Sequence, residues 1–219
     1  MAYSFNFRDV FAAKDALLDG LALTLQLTAT TIVFGFLIGL GVAATAVYGS
    51  RWAKRAAHAY VEIIRNTPLI VQLFVVFFGL PSVGIKLGVF TVATIGLAIN
   101  LGAYAAEIIR AGIESIPRSQ VEAGISLGFT RTQIFRHVVL VPALKNVYPS
   151  LMSQFVLLML ATSVASQIAA PELFYAGSII QSRTYRDFEV YTVIAVVYLA
   201  LAILLRMLFA VAHRLVFRR

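Results

Sequence analysis

Five long apolar runs, roughly 21–48, 58–80, 88–112, 146–168 and 190–212, fill most of this 219-residue chain. About 20 apolar residues in a helix cross the hydrocarbon of a bilayer, where each backbone amide must find its partner inside the segment. The chain is therefore expected to be an all-α membrane protein with five transmembrane helices. Composition agrees, because only 13% of residues are charged and 60% are hydrophobic, whereas soluble domains carry about 25% charged residues. No linker or change of composition divides the chain, so residues 1–219 are expected to form a single transmembrane domain. Cysteine is absent, which excludes disulfides and thiolate metal sites. Asp9, Asp15 and Asp19 argue against a removable signal peptide at the start.

Basic residues set the expected orientation. With the N-terminus outside, the inside segments hold Arg51, Lys54, Arg55, Arg65, Arg110, Arg118, Arg131, Arg136, Lys145, Arg206, Arg214, Arg218 and Arg219. The outside keeps Arg8, Lys14, Lys86, Arg183 and Arg186. This asymmetry follows the positive-inside rule and predicts N-out, C-in. It also accounts for the net charge of +8 through anionic headgroups rather than nucleic acid.

The spans have faces. Thr24, Thr28, Thr31, Gly35 and Gly39 recur every three or four residues and form a small-residue stripe, tightest at Gly35-x-x-x-Gly39. Such a stripe lets helix backbones approach closely in lipid, either as static packing or as a sliding seam. The fifth span, nearly all apolar from Val193 to Leu205, is expected to be a peripheral, lipid-facing support. In the second span, Glu62 and Arg65 are spaced to pair on one face. Pro68 removes a backbone donor, so a kink or break is predicted between Arg65 and Pro68. Irregular backbone at that depth is tolerated only beside protein or a water-filled cavity.

Asn100, Tyr104 and Glu107 share one face of the third span. A carboxylate in hydrocarbon costs about 2.5–3.5 kcal/mol, so it faces a cavity or a partner. Glu107 is open to two readings: a path residue, or one rung of a Glu107–Arg110–Glu114 ladder at the inner boundary. Asn100 has no neighbouring charge to explain it and is assigned to the path. Thr162, Ser163, Ser166 and Gln167 offer neutral hydrogen bonds in the fourth span, although short hydroxyl side chains also bond their own backbone.

Between the third and fourth spans, about 116–142, lies a charged, soluble-looking stretch. Ser119-x-x-Glu122 and Thr130-x-x-Gln133 are capping-box patterns, each predicting a helix start. Gly128 suits the left-handed position that ends the first helix. Two short helices at an angle are expected, exposing Arg118, Arg131, Arg136 and His137.

Within that stretch Glu122-Ala123-Gly124, then Gly128, then Val138-Val139-Leu140-Val141-Pro142 resemble the EAA loop, the coupling helix of type I ABC importer permeases. Tyr60-Val61-Glu62-Ile63-Ile64-Arg65-Asn66-Thr67-Pro68, the Asn100–Arg110 segment, Pro171-Glu172-Leu173 and Ser182–Tyr191 extend the resemblance from about Leu21 to Arg214. They point to the polar amino-acid uptake branch. Asn66 stands where the family pattern has Gly, Gly124 replaces the usual second Ala, and Pro142 lies one residue late. The resemblance implies a multi-pass permease subunit of an ABC transporter in the bacterial cell (inner) membrane, engaged in amino-acid transport. Its implied partners are a second permease subunit, two ATP-binding subunits and an external solute-binding protein.

ATP and Mg would sit on those partner ATPase subunits. This chain carries no Gly-x-x-x-x-Gly-Lys-Ser/Thr loop and no nucleophile–base set, so it is not expected to be an enzyme, to hold a metal or to bind a cofactor itself. The residues expected to line the substrate path are Gln72, Asn100, Tyr104, Glu107, Thr162, Ser163 and Gln167. Those expected to couple to the ATPase are Arg118, Glu122, Ala123, Gly128, Phe129, Arg131 and Arg136. Many relatives carry an acid in the fourth span, where this chain has Leu160-Ala161-Thr162-Ser163-Val164. Either the substrate is not read as a cation there, or a paralogous partner supplies the charge in a heterodimer, which is the favoured reading. Two alternatives are an importer for an opine or sulfur amino acid and an ATP-independent secondary carrier. The carrier would leave the capped loop unexplained, and the internal repeats such carriers show are not evident.

Overall fold

The computed structural model describes residues 5–217; Arg218 and Arg219 of the basic tally lie outside them. Every regular element among the described residues is helical. A short α1 (Arg8–Ala12) leads into α2 (Lys14–Tyr48), whose 35 residues rise about 52 Å at 1.5 Å per residue. Its buried face comprises Gly20, Thr24, Leu27, Thr28, Thr31, Gly35, Gly39 and Ala43, the small-residue stripe seen in the sequence. The Gly35–Gly39 part of the stripe lies against α5 (Val89–Glu114). A Cβ at Gly35 would stand 2.7 Å from Leu101, and one at Gly39 would stand 2.6 Å from Ala105. Only hydrogen fits there, and the seam is packed tight.

The second span is not one straight helix over 58–80. It consists of α3 (Arg51–Arg65), capped by Ser50 through Ala53 N–H, and α4 (Leu69–Ser82), with a bend of 106° between them. Pro68 explains the break, since it offers no N–H to the carbonyl of Ile64 four residues back and its ring crowds that turn. The 14 residues of α4 rise about 21 Å, less than the roughly 30 Å of hydrocarbon. Four helices among the described residues are therefore long and apolar enough to cross a membrane, or five crossings if the bent pair counts as one.

Helix α5 is central, packing against α2, α3, α4 and α8. Leu97, Leu101, Ala105 and Ile109 on it meet Leu27, Leu73, Leu151 and Phe155 in the main core. After α5 come α6 (Arg118–Ser126) and a one-turn α7 (Arg131–Gln133). A π-helical segment, Ile134–Leu140, then runs without interruption into α8 (Val141–Ala161). The second loop helix and the fourth span are thus a single rod, not a short helix ended at Pro142. The π turn immediately before Pro142 gives the reason: a wider turn carries the preceding carbonyls away from a ring that would clash in α-helical geometry. A 3₁₀ segment, Thr162–Ile168, finishes the rod against α4 and α5. α9 (Leu173–Thr184) and α10 (Asp187–Phe217) close the chain. Most of α10 is exposed, including Val196, Leu199, Leu204 and Leu208, as expected of a peripheral support. Its buried Val190, Ile194 and Tyr198 form a second small core with Met159 and Leu173.

The two ends of the bundle differ. At one end the C-termini of α2 and α5 meet the loop, with the Tyr48 and Phe135 rings edge-on at 5.6 Å. At the other, the start of α2 meets α9, where a Cβ on Gly20 would stand 3.0 Å from Ala176 Cβ.

Candidate functional site

Two regions hold the residues singled out in the sequence. The first is the loop. Helix α6 ends in a Schellman turn, in which Gly128 N–H donates to Ile125 C=O at 2.9 Å and Phe129 N–H to Gly124 C=O at 3.1 Å. Gly128 sits at φ +78°, the left-handed conformation this turn requires. The next helix opens with a complete capping box. Gln133 N–H donates to Thr130 Oγ1 at 3.3 Å, while Thr130 N–H donates back to Gln133 Oε1 at 2.8 Å. The first predicted box does not form. α6 begins at Arg118 with Pro117 as its cap and no side-chain cap bond, so Ser119 already lies inside the helix. A proline cap fixes φ without needing a donor, which displaces the start by two residues.

Arg118, Glu122, Ala123, Gly128, Arg136 and His137 are exposed, and the Arg131 side chain lies outside the described ones. Beside these polar groups the loop presents Leu127 at 74%, Ile125 at 60% and Phe129 at 41% exposure. Clustered exposed apolar residues rimmed by charge are the composition of a protein contact surface. Beside them an open cavity of about 1020 Å³ is lined by Ile125 and Phe129 of the loop together with Tyr48 and Ile113 of the bundle. The loop is held to the bundle by its own small core of Ile116, Ile134, Val139 and Ala143.

The second region is a polar strip around the α3–α4 elbow. Gln72, only 9% exposed, donates its amide N–H groups to Ile64 C=O at 2.7 Å, Thr67 C=O at 3.1 Å and Thr67 Oγ1 at 2.8 Å. It thereby restores to Ile64 the donor that Pro68 withholds. Its Oε1 accepts from Asn100 Nδ2 at 3.0 Å. Gln72 was expected to line the substrate path; in the structure its amide is engaged at the elbow and with Asn100.

One turn along α5, the Tyr104 ring lies under the Arg65 guanidinium at 5.5 Å. Glu107 accepts from Arg110 at 2.6 and 3.1 Å, and Arg110 also reaches Glu114 at 2.6 Å. The boundary ladder is therefore formed. The expected Glu62–Arg65 pair is not. Glu62 accepts from Asn66 Nδ2 at 3.1 Å, and Arg65, at the end of α3, turns to Tyr104 and to Glu107 at 4.0 Å.

In the fourth span the hydroxyls of Thr162, Ser163 and Ser166 donate to the carbonyls of Met159, Leu160 and Ser163 at 2.6–2.7 Å. Thr162 is fully buried, whereas Gln167 is exposed and approaches Ser166 Oγ at 3.4 Å. The 3₁₀ segment carrying these residues packs on α4 and α5, so the strip and this segment adjoin, without a hydrogen bond between Asn100 and Thr162 or Ser163.

A third cluster went unnoticed in the sequence. Glu172 is fully buried and caps α9, accepting from Phe174 N–H at 3.0 Å, Tyr175 N–H at 2.8 Å and Tyr198 OH at 2.6 Å. Thr24 Oγ1 lies 3.5 Å away and accepts from Leu173 N–H. Burial pushes the Glu172 carboxyl above its ordinary range, and these hydrogen bonds pull it part of the way back. An acid directly after Pro171 and before an apolar helix was the available signal.

The sequence profile described as "Binding-protein-dependent transport system inner membrane component" matches residues 22–219. A probable glutamine ABC transporter permease protein of Bacillus subtilis (strain 168) is 38% identical over 186 residues, covering 85% of this chain and 86% of that protein. An L-cystine transport system permease protein of the same organism is 34% identical, covering 89% and 84%. The glutamine transport system permease protein of Escherichia coli (strain K12) is 32% identical, covering 92% and 93%. Among solved structures, an amino acid ABC transporter superposes with a TM-score of 0.89 at 36% identity, covering 97% of this chain and 99% of that one. A methionine ABC transporter in an inward-facing conformation gives 0.75 at 25% identity, covering 90% and 94%.

Proposed function

The chain belongs to the family of binding-protein-dependent transport system inner membrane components, and on that premise we propose that this permease subunit moves a polar amino acid by alternating access. The observation that carries the proposal is the capped, exposed loop at Glu122–Val138. One of its helices is continuous with the fourth span, so a force applied at the loop acts on a transmembrane rod rather than on a flexible connection. Two separate ATPase subunits supply that force, and closing on ATP they swing the rod and the spans packed against it. The loop end then faces the cytoplasm, consistent with Arg51, Arg118 and Arg136 there, and the α9 end faces outward to a solute-binding protein.

The relatives named for glutamine and cystine support an amino-acid cargo, and the cystine relative keeps a sulfur amino acid as a second reading. Asn100, Tyr104, Ser163 and Gln167 line the path, with Gln72 and the fully buried Thr162 bracing it from behind and Glu107 held in the ladder at its inner boundary. The fourth span carries no charge at Leu160–Val164, which favours a paralogous second permease in a heterodimer. Co-expression tests both points. This chain with the ATPase and binding protein alone gives little amino-acid uptake, and adding the paralogous permease restores it. Full uptake from the smaller set refutes the heterodimer, and no uptake from either set refutes the cargo.

A further inference from the structure

We infer that Asn100 presents a hydrogen-bond acceptor to the solute path and so recognises the ammonium group of the transported amino acid. This rests on the transport reading above and adds to it the polarity of one contact. The constraint starts at Pro68. Lacking an N–H, it leaves the carbonyl of Ile64 without its helical donor, and the Gln72 amide nitrogen fills that place at 2.7 Å. The same nitrogen lies 3.1 Å from Thr67 C=O and 2.8 Å from Thr67 Oγ1. The Thr67 hydroxyl spends its own proton on Ile63 C=O at 2.8 Å, so it too is an acceptor toward Gln72. Three acceptors therefore surround that end of the amide. Turning Gln72 over would set its oxygen against the two backbone carbonyls, which can only accept, and buried polar groups do not tolerate that.

Gln72 Oε1 is thus fixed toward α5, and only a donor can meet it. Asn100 answers with Nδ2 at 3.0 Å. The choice for Asn100 is then made as well: its NH2 faces the elbow and Oδ1 faces away, with both lone pairs free. Among the described residues the buried side-chain polar atom left without a partner is Thr31 Oγ1. Among the described residues Asn100 Oδ1 accepts no hydrogen bond, and it is not such a buried atom, so it opens onto accessible space beside α5. A neutral acceptor held in fixed orientation selects for a donor, and most strongly for a charged one. It disfavours a carboxylate at the same place. The proline at the elbow thereby sets, through two amides, which end of a zwitterion α5 can hold.

The test is equilibrium binding of L-glutamine and of its deaminated analogue, 4-carbamoylbutanoate, to the detergent-purified permease–ATPase complex. The wild type binds L-glutamine about tenfold or more tightly than the analogue, the worth of one hydrogen bond to a charged group. Asn100→Leu brings the ratio close to one. Gln72→Met, which frees Asn100 to turn over, lowers the ratio severalfold. Adding Asn100→Asp to Gln72→Met restores it, because a carboxylate presents an acceptor in either orientation. That rescue is foreign to a residue that only props up the elbow. An unchanged ratio in Asn100→Leu, or no rescue in the double variant, overturns the inference while leaving the transport reading intact. Failure of the wild-type complex to bind L-glutamine overturns the inference as stated; the transport reading fails separately, if uptake does not depend on ATP.

Discussion

Gly128 offers the sharpest single perturbation of the loop between α5 and α8. Its φ of +78° places it where an L-side chain costs about 1–2 kcal/mol, with β-branched residues at the upper end. A Cβ there meets nothing within 4 Å, so neither a clash nor lost core packing adds to the figure, and the whole cost is backbone strain. It falls on the two bonds from Gly128 and Phe129 that end α6. If the ATPase docks on the loop only in this geometry and the undocked variant loop relaxes out of it, docking carries the strain and the apparent affinity falls roughly 5- to 30-fold for Gly128→Val. Gly128→Ala sits lower in that range, and Gly128→Asn, whose side chain tolerates the left-handed region, loses least. The assay is titration of labelled ATPase subunit onto the solubilised permease, with membrane yield as a control that stays constant. Val binding within twofold of glycine, or Asn binding as weakly as Val, refutes the reasoning.

Three further outcomes follow from the packing. Thr31→Val removes a buried hydroxyl that has no partner and is expected to raise the stability of the solubilised protein by about 1 kcal/mol, read as an upward shift in thermal unfolding. Gly39→Ala puts a methyl 2.6 Å from Ala105 Cβ and 3.1 Å from two backbone atoms of α5. Since those atoms cannot yield, the expected loss is about 1–3 kcal/mol, seen in the same assay as a downward shift. The Glu172 carboxyl is raised by burial, so the folded state binds its proton more tightly than the unfolded state does. Stability should therefore fall as pH climbs from the ordinary glutamate range to the raised folded value, then level off. Glu172→Gln removes that slope, and an unaltered slope in the variant contradicts the assignment.

Much of this architecture is legible from residue types alone, because lipid leaves the backbone few options. The Thr24–Gly39 stripe shows which face of α2 is buried, and Gly128 and Thr130 mark the turn within the loop. Other features depend on groups distant in the chain. Pro68 predicts a break, but the 106° angle is set by what holds α3 in place, including Tyr60 OH donating to Ile99 C=O at 2.6 Å. Pro142 reads as a helix end because a proline usually is one; a π turn, which has no simple sequence signature, carries the helix through it. Ser119 matches a capping box and loses to Pro117. The role of Gln72 needs both the broken turn behind it and Asn100 in front, two partners on different elements. Glu62 and Arg65 are spaced to pair, yet each finds another partner once the elbow has formed.

The proposed mechanism requires energy to enter a membrane subunit through a loop held by a separate ATPase. Its most direct test is initial uptake of L-glutamine into proteoliposomes containing this chain and its permease, ATPase and binding-protein partners, with and without ATP, for wild type and Gly128→Val. Uptake is expected to require ATP and to drop in the variant while both proteins insert equally. Uptake of equal rate without nucleotide, or by this chain alone, would contradict that mechanism.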